Sequence, residues 1–180
     1  MLERAENNVL VLRKVFPADL DAVAGYREEF LVTGDSMAGC SFLRRYSDML
    51  DWYDWICKAE HWETCPENFV PDTQYLCFRK RDNHLVGMLD IRHAVNDQTR
   101  LFGQIGYSIR ASERRKGYTT MQLALAKEIC RDMGMETVLV SCHKENTASV
   151  KIIQRNGGIL QSVTEDERNG KLLQLYQIPL

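Results

Sequence analysis

A chain of 180 residues is enough for one well-cored domain and short for two. With 44% hydrophobic and 27% charged residues it has the balance of an ordinary globular protein, and a formal net charge of −2 argues against general nucleic-acid binding, which needs a basic face. The six cysteines show no paired ligand spacing, the first residues carry charge early, and no run approaches the ~20 apolar residues of a membrane helix. The expectation is a single domain over residues 1–180, cytoplasmic, with reduced thiols and neither a zinc site nor a membrane anchor.

Residues 9–15 read as a first strand. Pro17 and Asp19 suit a helix start, Leu20, Val23, Phe30 and Leu31 give that helix a core face, and Gly34 ends it. After a small-residue linker at 36–40, apolar residues at spacings of three and four predict a second helix over 41–61. Trp52, Tyr53 and Trp55 make it aromatic, as core packing or as the wall of a ligand pocket. Pro66 and Pro71 bracket a loop. Residues 73–80 and 85–95 form a hairpin, and 96–99 turn the chain into a strand over 101–109. A helix over 116–133 stops near Gly134. Residues 136–141 are a nearly continuous apolar strand of the kind buried on both faces, so the strand–helix–strand unit reads as a right-handed crossover. A helix over 146–156 is broken by Gly157-Gly158, and 159–163 pairs with 171–178 across Asn169-Gly170. The order β–α–α–β–β–β–α–β–α–β–β predicts an α+β fold: a mixed, mostly antiparallel sheet of about seven strands with helices on both faces.

The stretch from Arg110 to Thr120 carries the first chemical signal. It joins a strand to a helix through a basic turn with one glycine. A helix start has unpartnered N–H groups and favours negative charge, Gly117 admits close approach to the backbone, and Arg114, Arg115 and Lys116 add positive charge. The turn lacks the GxxxxGK[ST] of a P-loop and the three glycines of a dinucleotide fingerprint. What remains is a metal-free pyrophosphate site or a solvated basic loop. The second signal is the polar run from Ser141 to Ser149, which leaves a neighbouring strand where the sheet is expected to splay. Asn146 and Ser149 there face the same ligand, cap the next helix, or do both with different atoms.

Arg114 to Thr119 resembles the acyl-coenzyme A loop of the GNAT N-acetyltransferases, Gln/Arg-x-x-Gly-x-Gly/Ala. Arg114 and Gly117 match, and Thr119 stands where Gly or Ala is usual. The resemblance extends along most of the chain. Val70-Pro71, Val86-Gly87, Arg92-His93 with Asn96, Ile105 to Arg110, Glu113 to Tyr118, Cys142 with Asn146 and Ser149, and Asn156-Gly157-Gly158 are similar to one bacterial GNAT subgroup. It implies the GNAT fold and transfer of an acetyl group from acetyl-CoA to a primary amine of a small molecule, or to a protein amine, by direct attack without a metal. It also implies that the backbone at Ile109 pairs with the pantetheine arm. The N–H groups of Arg115, Lys116, Gly117, Tyr118 and Thr119 would hold the pyrophosphate, and Asn146 would lie against the arm. Homodimers are common in the family. Many members place a tyrosine acid seven residues after that asparagine; here the position is Ile153. Tyr107 is the candidate acid, with Cys142 and Ser149 behind it. His93 is the candidate base, since imidazole titrates near neutrality, with Asp90 and Glu63 behind it. The competing readings are a non-catalytic acyl-CoA-binding module, motivated by Ile153, and a metal-free nucleotide-binding protein.

Overall fold

A computed structural model describes residues 2–180. Five strands form one sheet in the order β1-β2-β3-β4-β5: β1 (Arg4–Glu6), β2 (Leu10–Lys14), β3 (Asp72–Arg79), β4 (His84–Arg92) and β5 (Ile105–Ile109). A second sheet has β6 (Thr137–His143), β8 (Lys171–Pro179) and β7 (Ile159–Asp166) in the order β6-β8-β7. Side-chain alternation explains why the central strands are buried on both faces. On β3, Tyr75 and Cys77 pack on one side of the sheet, with Leu123, Ala126 and Ile129 of α4 (Tyr118–Asp132). Leu76 and Phe78 pack on the other, with Val23, Tyr26 and Phe30 of α1 (Leu20–Thr33) and Trp52 and Ile56 of α2 (Met49–Ala59). α3 (Asp97–Phe102) and α5 (Thr147–Arg155) complete the helices.

This is the α+β arrangement expected, with helices on both faces, and it differs in detail. Eight strands divide between two sheets, and every ladder among the described residues is antiparallel rather than mixed. The two strands expected to pair in parallel, β5 and β6, form no ladder. The residues just before β5 meet β6 through the isolated bridge Gly103↔Val140, through Gln104 N–H, which donates to Leu139 C=O at 2.6 Å, and through Leu139 N–H to Gln104 Oε1 and Ser141 Oγ to Phe102 C=O. Their carboxyl ends diverge, which is the splay the sequence suggested. β1 is an additional, charged edge strand on β2. The expected strand over 101–109 begins only at Ile105, because Asn96 and Thr99 form a reciprocal capping box that starts α3. The expected helix over 41–61 begins only at Met49, where Asp48 caps it by accepting from Leu50 N–H at 2.8 Å. Upstream, Ser41 and Phe42 take left-handed φ values of 42° and 62°, which no helix continues through.

That irregular segment is tied to the sheet. Gly39 has φ +72°, and a Cβ there would lie 2.3 Å from Gly106 C=O of β5, so the backbones approach as only glycine permits. Gln74 Nε2 donates to Gly39 C=O (2.9 Å), Ser108 Oγ to Ala38 C=O (2.6 Å) and Trp52 Nε1 to Cys40 C=O (3.2 Å).

Candidate active site

The wedge between β5 and β6 opens onto a cleft of about 650 Å³. Its floor is Tyr107, Ser108 and Ile109 of β5; its walls are the turn before α4 and the first turns of α5. Because β5 is laddered only to β4, its other edge is free to pair with an extended ligand.

The turn has the geometry of an anion cradle. Arg115 and Gly117 both have left-handed φ, 63° and 79°. Gly117 caps α4 from that conformation, and no side chain caps the helix. The first N–H groups of α4 therefore point into the cleft mouth without an intrahelical partner, beside the positive end of the helix dipole. Of the loop residues expected from the sequence, Arg114, Arg115, Gly117 and Thr119 line the cleft. Arg114 also pairs with Asp35 at 2.8 Å and donates to Ile109 C=O at 3.2 Å, which ties the loop to β5. Lys116 and Tyr118 do not line it. Lys116 Nζ bonds Glu113 at 2.7 Å, and Tyr118 turns onto the core, its hydroxyl accepting from Arg79 at 3.4 Å. Burial raises the Glu113 carboxyl, but hydrogen bonds from Lys116 and Arg79 outweigh it and hold it below its ordinary range.

Asn146 and Ser149 both line the cleft. Asn146 Oδ1 caps α5 by accepting from Ser149 N–H at 3.1 Å, which leaves its Nδ2 facing other partners. Lys151 and Arg155, one turn apart on α5, add positive charge to the wall. Neither belongs to a motif in the sequence, although their i, i+4 spacing puts them on one helix face.

Tyr107 brings its hydroxyl to the same floor, 2.6 Å from Ser149 Oγ. Burial pushes that phenol well above its ordinary range, with Ser149 opposing, so it stays protonated. Ile153 is fully buried in the core. Cys142 lies beneath Ser149, and burial pushes its thiol up to about 11. His93 is elsewhere: it lies just beyond the end of β4, its Nε2 2.8 Å from Thr73 Oγ1, and is absent from the cleft lining. Burial lowers its pKa, with the Glu60 carboxylate opposing. Glu63 is exposed after α2 and is absent from the cleft lining.

A second cleft, of about 610 Å³, lies against the α1–α2 face of the sheet. The segment 35–42 walls both clefts, Asp35 and Ser36 on the first and Met37 to Phe42 on the second. Phe42 and Phe69 stand at its side, edge to face with each other (6.0 Å) and with Trp55 (5.8 and 6.3 Å). Asp90 is on its floor. Asp90 Oδ1 accepts Gly106 N–H at 2.8 Å, and Oδ2 accepts from Arg92 at 3.0 Å. No group of three or more metal-ligating side chains occurs among the described residues.

An open-edged strand, an uncapped helix start and a splayed wedge define an acyl-CoA transferase layout, and the sequence comparison agrees. The acetyltransferase (GNAT) domain profile matches residues 10–159, so the chain belongs to the GNAT acetyltransferase family. Among curated proteins none matches it in sequence. Solved structures show the same fold at low identity. The RimL ribosomal L7/L12 alpha-N-protein acetyltransferase in complex with coenzyme A aligns over 99% of this chain and 98% of its own, with 17% identity and a TM-score of 0.73. An acetyltransferase from Salmonella typhimurium that modifies the N-terminal serine of ribosomal protein L7/L12 covers 97% and 96%, at 17% identity and TM-score 0.69. The yncA protein from Salmonella typhimurium, solved with its cofactor acetyl-CoA, covers 96% and 95%, at 14% identity and TM-score 0.65.

Proposed function

We propose that the chain is a single acetyltransferase domain that binds acetyl-CoA in the β5–β6 cleft and passes the acetyl group to a primary amine entering through the second cleft. The observation that carries this is the uncapped start of α4: two left-handed residues aim backbone donors into a basic cleft beside an open strand edge. The residues fit the donor. Backbone N–H groups from Arg115 to Thr119 meet the pyrophosphate, with Arg115, Lys151 and Arg155 as mobile cations. The β5 edge at Ile109 pairs with the amide-bearing arm, and Asn146 Nδ2 reaches the same arm from α5.

The neutral amine nitrogen attacks the thioester carbonyl, the C–S bond breaks, and the amine's proton leaves through the second cleft to water. Tyr107 donates a proton to the departing sulfur and is reprotonated through Ser149. A thiolate leaves with a pKa of about 8.5 by analogy with cysteine, so this assistance is modest. The same chemistry serves a small-molecule amine or a protein amine. RimL, which shares the fold, acts on a protein amine, while the aromatic side of the second cleft suits an apolar body on the acceptor. Six free cysteines support a cytoplasmic setting. Isothermal titration with acetyl-CoA tests the donor site, and thiol release in the presence of a primary-amine panel tests transfer. Binding with turnover is expected; absence of acetyl-CoA binding overturns the assignment.

A further inference from the structure

The second cleft contains a carboxylate that donor binding leaves unused. Asp72 opens β3 and lines the cleft. Its Oδ1 is buried and accepts no hydrogen bond from any described residue. Asp90, on the same cleft, has both oxygens satisfied, by Gly106 N–H and by Arg92. Ser41 Oγ, also on this cleft, is buried without a partner. A carboxylate oxygen shut away from water calls for a donor, and the side of the cleft supplies apolar surface at Phe42, Phe69 and Phe102. The ligand that completes this end brings N–H donors, positive charge and an apolar spacer.

Distance decides which part of the acceptor that is. Asp72 is in register with Arg92 on β4, and Tyr107 of β5 is in register with Leu89. Three residues along β4 and two strand spacings separate Asp72 from Tyr107, on the order of 14 Å. A general base works within ~3 Å of the proton it takes, or through one water. Asp72 is therefore too far to deprotonate the attacking amine.

We propose that the acceptor carries a second cationic group, anchored at Asp72 while its primary amine is acetylated beside Tyr107 and Ser108. This rests on the acetyl-transfer reading above, and it names the acceptor class as a linear diamine. Asp72 makes the anchor dependent on pH. Burial first, then the Asp90 and Glu60 carboxylates, push its pKa up to about 7 against the opposing Arg92; the Cys65 thiol also faces it. The anchor strengthens as Asp72 ionises above neutrality, while both amines of the ligand stay charged to about pH 10.

The test compares 1,8-diaminooctane with n-octylamine as acceptors, following thiol release from acetyl-CoA. The wild-type protein is expected to prefer the diamine about tenfold in kcat/KM at pH 8, with the difference carried by KM. That preference should shrink between pH 8 and pH 6, and should fall toward one in Asp72→Asn. The wild-type pH series stands by itself if the variant does not fold. A preference near one in the wild type, a preference unchanged in Asp72→Asn, or one flat with pH overturns the anchor. Titration of acetyl-CoA into the same protein separates the failures. Lost binding there refutes the donor site, and intact binding without diamine preference refutes only Asp72.

Discussion

The two clefts on either side of the segment 35–42 are built in opposite ways. The first is made of donors: backbone N–H groups at the start of α4, with Arg115, Lys151 and Arg155 around them. The second holds oxygens left over by the fold, Asp72 Oδ1 and Ser41 Oγ, buried without partners, in a lining that also includes Arg92 and Arg168. One fits a ligand rich in phosphate oxygens and the other a ligand rich in N–H groups. They share a wall, the segment 35–42, pinned by Gln74, Ser108 and Trp52. The lesson is that polarity left unsatisfied by the fold states what each cleft is for. A protein that bound nothing would gain by capping α4 and by replacing Asp72 with an apolar residue.

The strongest way to break the contrast is to put an acceptor where the donors are. Gly117→Glu places a carboxylate beside the proposed pyrophosphate position and a side chain on a left-handed residue. Like-charge contact costs several kcal/mol, so acetyl-CoA affinity should fall on the order of 100-fold by isothermal titration. Gly117→Ala should cost far less, because a Cβ there meets only Met121 Cε at 4.0 Å, which leaves backbone strain of about 1 kcal/mol. Next is Tyr107, the proposed proton donor. Tyr107→Phe should lower kcat about tenfold, at the small end of general-acid effects because the thiolate leaves readily, with acetyl-CoA affinity unchanged. Smaller still is the difference between neighbouring cations. Arg115→Ala should weaken acetyl-CoA about fivefold and flatten its salt dependence, whereas Lys116→Ala, whose ammonium is held by Glu113, should change it less than about twofold.

The last expected effect is one of stability rather than binding or rate, and it sharpens the acceptor side. The raised Asp72 pKa means that folding disfavours its charge. That favourable contribution is present below the ordinary aspartate value of about 3.9 and is lost as pH rises through about 7. Asp72→Asn should therefore match the wild type near pH 4 and melt higher above pH 7, by roughly 2–4 °C for each kcal/mol relieved. Equal melting temperatures from pH 4 to pH 8 would contradict the buried, donor-less description of Asp72.

The donor cleft was legible because its parts are short-range. A glycine, a basic turn and a helix start lie within a few residues, and Asn146 announces the next helix as its cap. Where the reading failed, the local signal was ambiguous or strained. Asn96 to Thr99 looks like a turn and is a capping box. The aromatic spacing from Phe42 onward looks helical, but Ser41 and Phe42 are left-handed. His93 looked like a base because imidazole titrates near neutrality, yet its contacts lie with Thr73 rather than in the cleft.

What the sequence determined by itself was most of the order of elements, though not β1 or α3, together with the family and the basic, glycine-bearing turn before α4. Each is a matter of periodicity or of residues adjacent in the chain. The two-faced burial expected of 136–141 belongs instead to β3 and β4, while β6 alternates. What only the tertiary structure decided was the splay of β5 from β6, the placement of Tyr107 on Ser149, and the second cleft. Asp72, Asp90, Phe42 and Phe69 come from separate stretches, and nothing local to any of them says that they meet. Whether a carboxylate keeps a donor depends on what packs around it, and packing is decided by the whole fold.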